Sequence, residues 1–251
     1  MLGWFSKAFS RRSERPAAPE HEIFAVGDIH GCLAPLRQLL SKIYRARQSE
    51  RPEVIFLGDY VDRGPHSLEV VDLLLSEAMD EAFSPVFLKG NHEATLLEFL
   101  VDPSIGPSWA QYGGGETLMS YGVRYPAFKD DPEGWAETSR ELRLRLPRSH
   151  KRFYESLQPF AERGLYYFAH AGVDPDRAID DQREDDLLWI REPFLNDHRR
   201  LDRIIVHGHT PQEAPSKDER RIGLDLGGYQ TGRLAAAHIL GEQVSFITSE
   251  A

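Results

Sequence analysis

The stretch EIFAVGDIHG, residues 22–31, decides the fold class of this chain. Residues 22–26 form a short apolar run of the kind found in buried β-strands, and Gly27-Asp28 ends it abruptly. A helix-like stretch over residues 33–47 comes next. Because a strand followed by a helix is the first half of a βαβ unit, this segment predicts an α/β protein.

The same arrangement recurs twice. Apolar runs at residues 54–57 and 85–88 each end in glycine followed by a polar residue, and each precedes a helix-like stretch, the first over residues 67–79. Strands separated by helices of this length indicate a largely parallel sheet. In such sheets ligands bind beyond the carboxyl ends of the strands, so we expect the functional residues just after these runs.

The rest of the chain continues this pattern. Residues 94–160 are predicted to be mostly helical, with an interruption at Gly113-Gly114-Gly115. Further β-like runs follow at residues 165–169, 203–206, 221–226, 233–240 and 244–248. The sequence has no internal repeat or inter-domain linker, and the Pro-rich piece at residues 15–19 is its one clear boundary. We therefore expect a single domain over residues 21–251 after a tail of residues 1–20.

Composition excludes several classes of protein. Of the 251 residues 41% are hydrophobic and 28% charged, as in a globular chain, and no apolar run approaches the ~18–20 residues of a membrane-spanning helix. The single cysteine, Cys32, excludes an internal disulfide and a multi-cysteine metal site, so we expect a reducing, cytoplasmic setting. The net charge of −10 argues against nucleic-acid binding. Because the chain leaves little room for regulatory elements, we expect a monomer.

The tail, residues 1–20, differs in charge from the rest of the chain. It has four basic residues against two acidic ones, and its first half contains several large apolar residues. It lacks the long apolar stretch and the cleavage site of a secretory signal. Two interpretations stay open: a disordered tail, or a short helix that lies on an anionic membrane surface.

Five turns place metal-type ligands directly after the apolar runs. Their sequences are GDIHG, GDYVDRG, GNHE, HAG and GHT, at residues 27–31, 58–64, 90–93, 170–172 and 208–210. Aspartate or asparagine after glycine is by itself a common turn former, so one such turn would be weak evidence. Together the turns offer oxygen and imidazole donors without thiolate, a set that suits Mn²⁺, Fe or Zn²⁺. They therefore indicate a metal centre.

This series of motifs resembles the phosphoprotein phosphatase family of serine/threonine phosphatases, in its compact bacterial-type form, within the calcineurin-like metallophosphoesterase superfamily. The motifs GDxHG, GDxVDRG and GNHE are met in full, and the resemblance extends over residues 22–248. Residues 114–118, 120–122 and 188–191 also resemble the bacterial form. Ala171 departs from the glycine that many eukaryotic members have there. The resemblance implies an α/β fold: a β-sandwich flanked by helices (αββα), with a helical insertion in the middle of the chain.

The resemblance implies a centre of two divalent cations, with Mn²⁺ as the expected metal and Fe or Zn²⁺ as alternatives. The implied ligands are Asp28, His30, Asp59, Asn91, His170 and His209. Asp28 and His30 would bind the first cation, and Asp59 would bridge to the second. A hydroxide held between the cations would attack phosphorus directly, so Cys32 is not needed as a nucleophile. His207, close to the motif histidine, is expected to lie outside the ligand set.

Further residues have implied roles towards the substrate. His92 would protonate the leaving group, and Asp62 would orient and charge its imidazole. Arg63 and Arg191 would bind the phosphate oxygens through bidentate guanidinium contacts, together with Asn91. These roles are implied by the resemblance and not by spacing alone.

The first functional hypothesis is a metal-dependent phosphatase that hydrolyses phosphoserine and phosphothreonine, with phosphotyrosine left open, on phosphorylated proteins or peptides. The alternatives are a hydrolase of dinucleoside polyphosphates or cyclic nucleotides on the same scaffold, and an inactive scaffold that binds phosphopeptides. Diadenosine tetraphosphate hydrolases look similar but typically lack aspartate at the position of Asp62 and have aspartate at that of Glu93, so both residues favour the first hypothesis. An inactive scaffold would be expected to have lost a ligand, and none is missing.

Overall fold

Ten β-strands form two five-stranded sheets in the computed structural model, which describes residues 15–249. In chain order the strands are β1 (Ile23–Val26), β2 (Glu53–Phe56), β3 (Ser84–Phe87), β4 (Phe160–Arg163), β5 (Tyr166–Ala169), β6 (Ile204–His207), β7 (Ser216–Lys217), β8 (Arg221–Gly223), β9 (Ala235–Leu240) and β10 (Gln243–Thr248). The strand order is β10-β9-β1-β2-β3 in the first sheet and β4-β5-β6-β8-β7 in the second.

Each sheet combines three parallel strands with two antiparallel ones. In the first sheet β1, β2 and β3 are parallel, whereas β9 and β10 run antiparallel to their neighbours. In the second sheet β5, β6 and β8 are parallel, and β4 and β7 are antiparallel. The predicted largely parallel sheet is thus correct only for the three parallel strands of each. A short turn such as Gly241-Glu242, between β9 and β10, can join only antiparallel strands.

Helices lie on the outer faces of the sheets. They are α1 (Leu33–Ala46), α2 (Ser67–Leu74), α3 (Glu77–Ala82), α4 (Asn91–Val101), α5 (Gly106–Trp109), α6 (Gly115–Ser120), α7 (Pro132–Arg145), α8 (Arg148–Ser156), α9 (Glu184–Trp189), α10 (Glu192–Leu195) and α11 (Gly228–Thr231). Short helical turns of other types span Pro103–Ile105, Ala110–Gly114 and Ile179–Asp181. The predicted helical insertion in the middle of the chain is confirmed by α4 to α8.

Alternate residues of the central strands enter different cores. Ile23 of β1 packs between the sheets, in one cluster with Phe168 of β5, whereas its neighbour Phe24 packs with the helices on the outer face. The outer face of the second sheet places Tyr167 in a cluster with Phe194 of α10. Because successive side chains of a strand point to opposite faces, both sheets are buried on two sides. The resulting layers, helix on sheet on sheet on helix, confirm the predicted αββα sandwich.

Two predictions of secondary structure are wrong in detail. The helix predicted over residues 67–79 is two helices, α2 and α3. The Ser76 hydroxyl donates to the Leu73 carbonyl at 2.6 Å, and this local hydrogen bond competes with continuation of the helix. The sequence also does not predict β4, because Ala161 is its only buried residue and an apolar pattern is missing.

The described chain begins near the starts of β5 and β6. Arg15 donates hydrogen bonds to the carbonyls of Leu201 and Glu219 at 3.0 and 2.8 Å, and the Ala17 carbonyl accepts from the Leu165 N–H at 2.9 Å. Residues 15–20 of the predicted tail are therefore packed against the domain. The two interpretations of the tail now concern residues 1–14, which lie outside the described residues. No helix between residues 15 and 249 is both long and apolar enough to cross a membrane.

Candidate metal centre

The predicted ligands lie just beyond the carboxyl ends of β1, β2, β3, β5 and β6. All six are buried, and close contacts join residues far apart in the sequence, such as Asn91 with both His170 and His209. The first three strands belong to one sheet and the last two to the other, so the centre spans both sheets. This is the location expected for a ligand site in an α/β fold.

The backbone at the centre is strained. Five non-glycine residues have a positive φ, between 48° and 70°: His30, Asp59, Asp62, Arg63 and His209. All five belong to the predicted site, and no other non-glycine residue between positions 15 and 249 has a positive φ. Residues with a Cβ pay a free-energy cost in this left-handed region and are found there mainly at functional sites. The strain therefore supports the predicted site independently of the motifs.

One group of donor atoms surrounds His170. Its Nδ1 lies 3.0 Å from the Leu57 carbonyl, which can only accept, so Nδ1 holds the proton and Nε2 presents a lone pair. That lone pair faces the Asn91 Oδ1 at 2.8 Å, the His209 Nδ1 at 3.2 Å and the Asp59 Oδ2 at 3.4 Å. The Asn91 and Asp59 oxygens and the His170 Nε2 are acceptors, and acceptors this close repel one another unless a proton or a cation lies among them. The group therefore fits the predicted second metal position.

A second group shares Asp59 with the first. The His30 Nδ1 donates to the Val61 carbonyl at 2.9 Å, so its Nε2 lone pair faces the Asp59 Oδ2 at 3.4 Å. The donor atoms of His30, Asp59 and His92 lie within 4.8 Å of one another, as do those of Asp59, His170 and His209. Membership of Asp59 in both groups fits the predicted bridging position.

Asp28 is buried beside the centre but lies outside both groups of close donor atoms, and the first of these groups contains His92. The Asp28 carboxylate instead accepts the His209 backbone N–H, at 3.1 Å to each oxygen. A Cβ on Gly208 would overlap the Asp28 Oδ1, so glycine is required there. The role of Asp28 as a metal ligand stays a prediction.

Charge at the centre also fits divalent cations. Burial, with the neighbouring charges of Asp225 and Asp59, raises the pKa of Asp28 well above its usual range, and burial raises the pKa of Asp225 to about 6. Burial also lowers the pKa values of His30 and His170 well below their usual range, which keeps both imidazoles neutral and able to ligate. Crowded carboxylates are stabilised by cations, and this donor set of oxygen and nitrogen suits first-row divalent metals. Asp225 follows no motif, and the sequence analysis missed it.

His92 and Asp62 form the predicted pair. The His92 Nδ1 lies 2.6 Å from the Asp62 Oδ2, and its Nε2 lies 3.2 Å from the Arg63 Nη2. Burial by itself lowers the pKa of His92, but the charge of Asp59 and the hydrogen bond and charge of Asp62 outweigh it and raise the pKa to about 9. The charges of Asp59 and Asp62 therefore favour the protonated imidazole, while the Arg63 guanidinium, which can only donate, faces the same Nε2 and favours its neutral form. A protonated Nε2 beside the candidate metal positions can serve as a general acid.

Asp62 is held by two further side chains. The Trp109 Nε1 donates to its Oδ2 at 2.8 Å, and the Thr117 hydroxyl donates to its Oδ1 at 2.6 Å. Because both carboxylate oxygens accept hydrogen bonds, the orientation of Asp62 is fixed. Thr117 lies in the stretch 114–118 that resembles the bacterial phosphatases, whereas Trp109 has no motif around it and was missed.

The predicted phosphate-binding arginines line one cleft with Asn91 and His92. The Arg63 N–H donates to the Gly113 carbonyl at 3.0 Å. Gly113 has a φ of 110°, and a Cβ there would come within 2.6 Å of the Arg63 Cγ, so glycine is required where the insertion crosses Arg63. The Arg191 Nη1 lies 3.4 Å from the Thr210 hydroxyl. Two guanidinium groups on one cleft can bind phosphoryl oxygens through paired N–H donors.

Glu93 has a structural role that the sequence analysis did not predict. It is fully buried, and its carboxylate accepts backbone N–H groups of Asp59, Tyr60, Val61 and Gly90 at 2.8–3.2 Å. It thereby ties the turn after β2 to the turn after β3. Burial, with the charge of Asp59, raises the pKa of Glu93 to about 8. Glu93 is therefore a positioning residue for the candidate bridging aspartate.

Two residues considered from the sequence lie apart from the chemistry. The His207 ring packs edge-on against Phe194 with centroids 5.1 Å apart, and neither group of donor atoms contains it. Burial raises the pKa of the Cys32 thiol to about 11, so the thiol stays protonated near neutral pH. Both findings agree with the expectation that His207 is not a ligand and that Cys32 is not a nucleophile.

A family model described as calcineurin-like phosphoesterase matches residues 21–240. The chain belongs to the calcineurin-like phosphoesterase family. The superfamily part of the predicted resemblance is thus confirmed. A dinuclear divalent metal site is the one that calcineurin-like phosphoesterases use, and the two groups of donor atoms that share Asp59 are the candidates for it.

The individual proteins that resemble this chain have names that differ from the phosphatase family suggested by the motifs. The bis(5'-nucleosyl)-tetraphosphatase PrpE (asymmetrical) of Anoxybacillus flavithermus is 25% identical over 234 residues, which cover 84% of this chain and 87% of that protein. The same named protein of Halalkalibacterium halodurans is 26% identical over 235 residues, with the same coverage. These names match the alternative functional hypothesis and not the serine/threonine phosphatases.

A solved structure agrees with the fold. The crystal structure of a putative diadenosine tetraphosphatase superposes with a TM-score of 0.63 at 23% identity, and covers 92% of this chain and 95% of that one. At this identity the likeness supports the calcineurin-like fold alone.

Proposed function

We propose that this chain is a metal-dependent hydrolase of dinucleoside tetraphosphates. The observation that supports this substrate best is the match, over 84% of this chain and 87% of the relative, to proteins named bis(5'-nucleosyl)-tetraphosphatase. Asp62 and Glu93 favour a protein phosphatase at two positions, whereas the match to the tetraphosphatases extends over most of both chains.

The cleft can accept a substrate with several phosphates. Arg63 and Arg191 line the same cleft as Asn91 and His92, beside the candidate metal positions. A polyphosphate presents oxyanions on successive phosphorus atoms, and the two guanidinium groups can bind oxygens of one phosphate or of two.

Different residues of this chain would bind the phosphates, hold the cations and supply the proton. Arg63 and Arg191 would bind and orient phosphoryl oxygens. The cations would be held by Asp28, His30, Asp59, Asn91, His170 and His209. When bound, two divalent cations supply Lewis-acid activation of the phosphoryl group and of the attacking water. His92, oriented by Asp62 through its Nδ1, presents its Nε2 to the cleft and would supply a proton to the departing oxygen.

A second candidate function is hydrolysis of phosphoserine and phosphothreonine in proteins or peptides. The His92–Asp62 pair favours it, because a departing alkoxide needs a proton more than a departing nucleotide phosphate does. A serine/threonine phosphatase of Saccharomyces cerevisiae superposes with a TM-score of 0.56 at 18% identity, covering 96% of this chain and 85% of that one. That likeness supports the shared fold and leaves the substrate to experiment.

Separate assays on different substrates decide between the two candidate functions. The purified chain, loaded with Mn²⁺, is assayed on diadenosine tetraphosphate, on a phosphoserine peptide and on a cyclic nucleotide, with Asp59→Asn as the inactive control. We expect kcat/KM for diadenosine tetraphosphate to exceed that for the peptide by at least about tenfold, a difference of about 1.4 kcal/mol in transition-state binding. The reverse ratio would overturn the proposal in favour of the protein phosphatase.

A further inference from the structure

The cleft beside the candidate metal centre has an aromatic part that the hydrolysis chemistry does not use. Its volume is about 530 Å³, within the range of small-molecule sites. Beyond Arg63, Arg191, Asn91 and His92, its lining has three aromatic residues, Trp109, Tyr112 and Trp189, and four others, Thr95, Glu98, Ile105 and Ser108. Trp109 is buried and bonded to Asp62, so the aromatic surface available to a ligand comes from the other two rings.

Trp189 and Tyr112 are unusually exposed for aromatic residues. The exposed fractions are 51% for Trp189, the last residue of α9, and 64% for Tyr112, in the turn Ala110–Gly114. The Trp189 ring also lies close to the candidate centre, since its centroid is 6.3 Å from that of His209. Exposed aromatic rings that line a concave surface beside a charged site are typical of ligand recognition.

We propose that this part of the cleft binds one nucleoside of a dinucleoside tetraphosphate, with its base stacked on Trp189 and with Tyr112 as a second aromatic contact. This inference rests on the proposed function and adds the residues that recognise the base. The base would occupy the aromatic part while the attached phosphates extend towards Arg63 and Arg191. The lining of the cleft is then matched to one ligand, with the rings against the base and the guanidinium groups against the phosphates.

The chemistry of the cleft favours a base over other occupants. Every nucleobase has a flat π-face, and stacking on an aromatic side chain contributes substantially to binding without requiring a particular base. An inorganic polyphosphate would use the arginines and leave the two rings exposed to water. A peptide could place an aromatic side chain here. The comparison of a phosphopeptide with diadenosine tetraphosphate below distinguishes a peptide side chain from a base.

The test compares ligands with and without a base. Affinity is measured by calorimetry on the Mn²⁺-loaded chain for a non-hydrolysable methylene analogue of diadenosine tetraphosphate and for inorganic tetraphosphate. We expect Trp189→Ala to weaken binding of the analogue about tenfold or more, because loss of one stacked base lowers affinity by a factor of about 5 to 150. Binding of inorganic tetraphosphate should weaken far less. Trp189→Phe should recover most of the loss, and Tyr112→Ala should show the same selectivity as Trp189→Ala with a smaller effect.

Phe128→Ala is the matched control, because Phe128 is an exposed aromatic residue, at 74%, outside the cleft. Equal weakening of the analogue and of tetraphosphate by Trp189→Ala would overturn the inference, as would no weakening of either. So would an equal loss in kcat/KM on a phosphopeptide and on diadenosine tetraphosphate. A parent chain that hydrolyses phosphopeptides but not diadenosine tetraphosphate would overturn the proposed function itself, a result that is visible before any variant is made.

Discussion

The Nδ1 of His92 lies 2.6 Å from the Oδ2 of Asp62, and the carboxylate is fixed from its other sides by Trp109 and Thr117. The imidazole can therefore turn only one nitrogen, Nε2, towards the cleft. With Nδ1 held by Asp62, proton transfer to a ligand in the cleft can take place only through Nε2.

Removal of the acid should depend on the leaving group. We expect His92→Ala to lower kcat about 10²–10⁴-fold on a phosphoserine peptide, since general acid catalysis contributes about that much. The loss should be smaller on p-nitrophenyl phosphate and on diadenosine tetraphosphate, whose leaving groups need little protonation. Steady-state kinetics on the three substrates measures this, with the exposed His198→Ala as the control. Equal losses on all three would count against the acid role.

Loss of the shared carboxylate should remove both cations. In Asp59→Asn we expect metal bound after dialysis, measured by elemental analysis, to fall well below that of the parent, with activity lost in parallel. The reason is that Asp59 belongs to both groups of donor atoms and a neutral amide offsets less charge. The exposed Asp130→Asn should bind metal as the parent does. Full retention of two cations by Asp59→Asn would contradict the bridging position.

A glycine at position 113 should be needed for Arg63 to be positioned for phosphate binding. Gly113→Ala forces a Cβ into the left-handed region at a cost of about 1–3 kcal/mol and also against the Arg63 side chain. We expect lower thermal stability together with a raised KM for phosphate substrates. Gly241 also has a positive φ, of 60°, but open space around a new Cβ, so Gly241→Ala should lower stability with KM unchanged. Identical KM values in both variants would show that Arg63 is positioned without Gly113.

Glu93→Gln should loosen the turns at the centre. The carboxylate accepts four backbone N–H groups, and an amide has only one oxygen, so at least one buried N–H would lose its partner. We expect the free energy of unfolding to fall by about 1–3 kcal/mol, measured by urea denaturation. Affinity for Mn²⁺ should fall as well, because Asp59 lies in one of those turns. A variant as stable as the parent would contradict the role of Glu93 in holding the two turns together.

Glu22 should contribute to acid stability. Burial alone raises the pKa of Glu22, but hydrogen bonds from Ser49, Gln48 and His238 outweigh it and lower the pKa. A depressed pKa stabilises the fold at pH values above the unfolded value and is lost as pH falls through the folded one. We therefore expect Glu22→Gln to flatten the loss of stability below about pH 4.5, the ordinary range of a glutamate. An unchanged acid profile in thermal unfolding would contradict this.

The sequence predicts the centre well and its surroundings poorly, for a physical reason. His30, Asp59 and His170 follow apolar strands, so local pattern and the rule for strand ends are enough to place them at one edge of the sheets. Trp109 and Asp225 approach the centre only through packing of the insertion and of the turn after β8, and no local signal marks such residues. The antiparallel pairing of β1 with β9 and the aromatic part of the cleft depend on contacts between distant segments for the same reason.

The candidate ligands are divided between the two halves of the chain: Asp28, His30, Asp59 and Asn91 precede the insertion, and His170 and His209 follow it. While the protein is being synthesised, the first four leave the ribosome before the last two exist. A nascent chain can therefore gather only part of the donor set, and full metal loading must wait until translation has passed β6. The divided set delays a working hydrolase until both sheets are present.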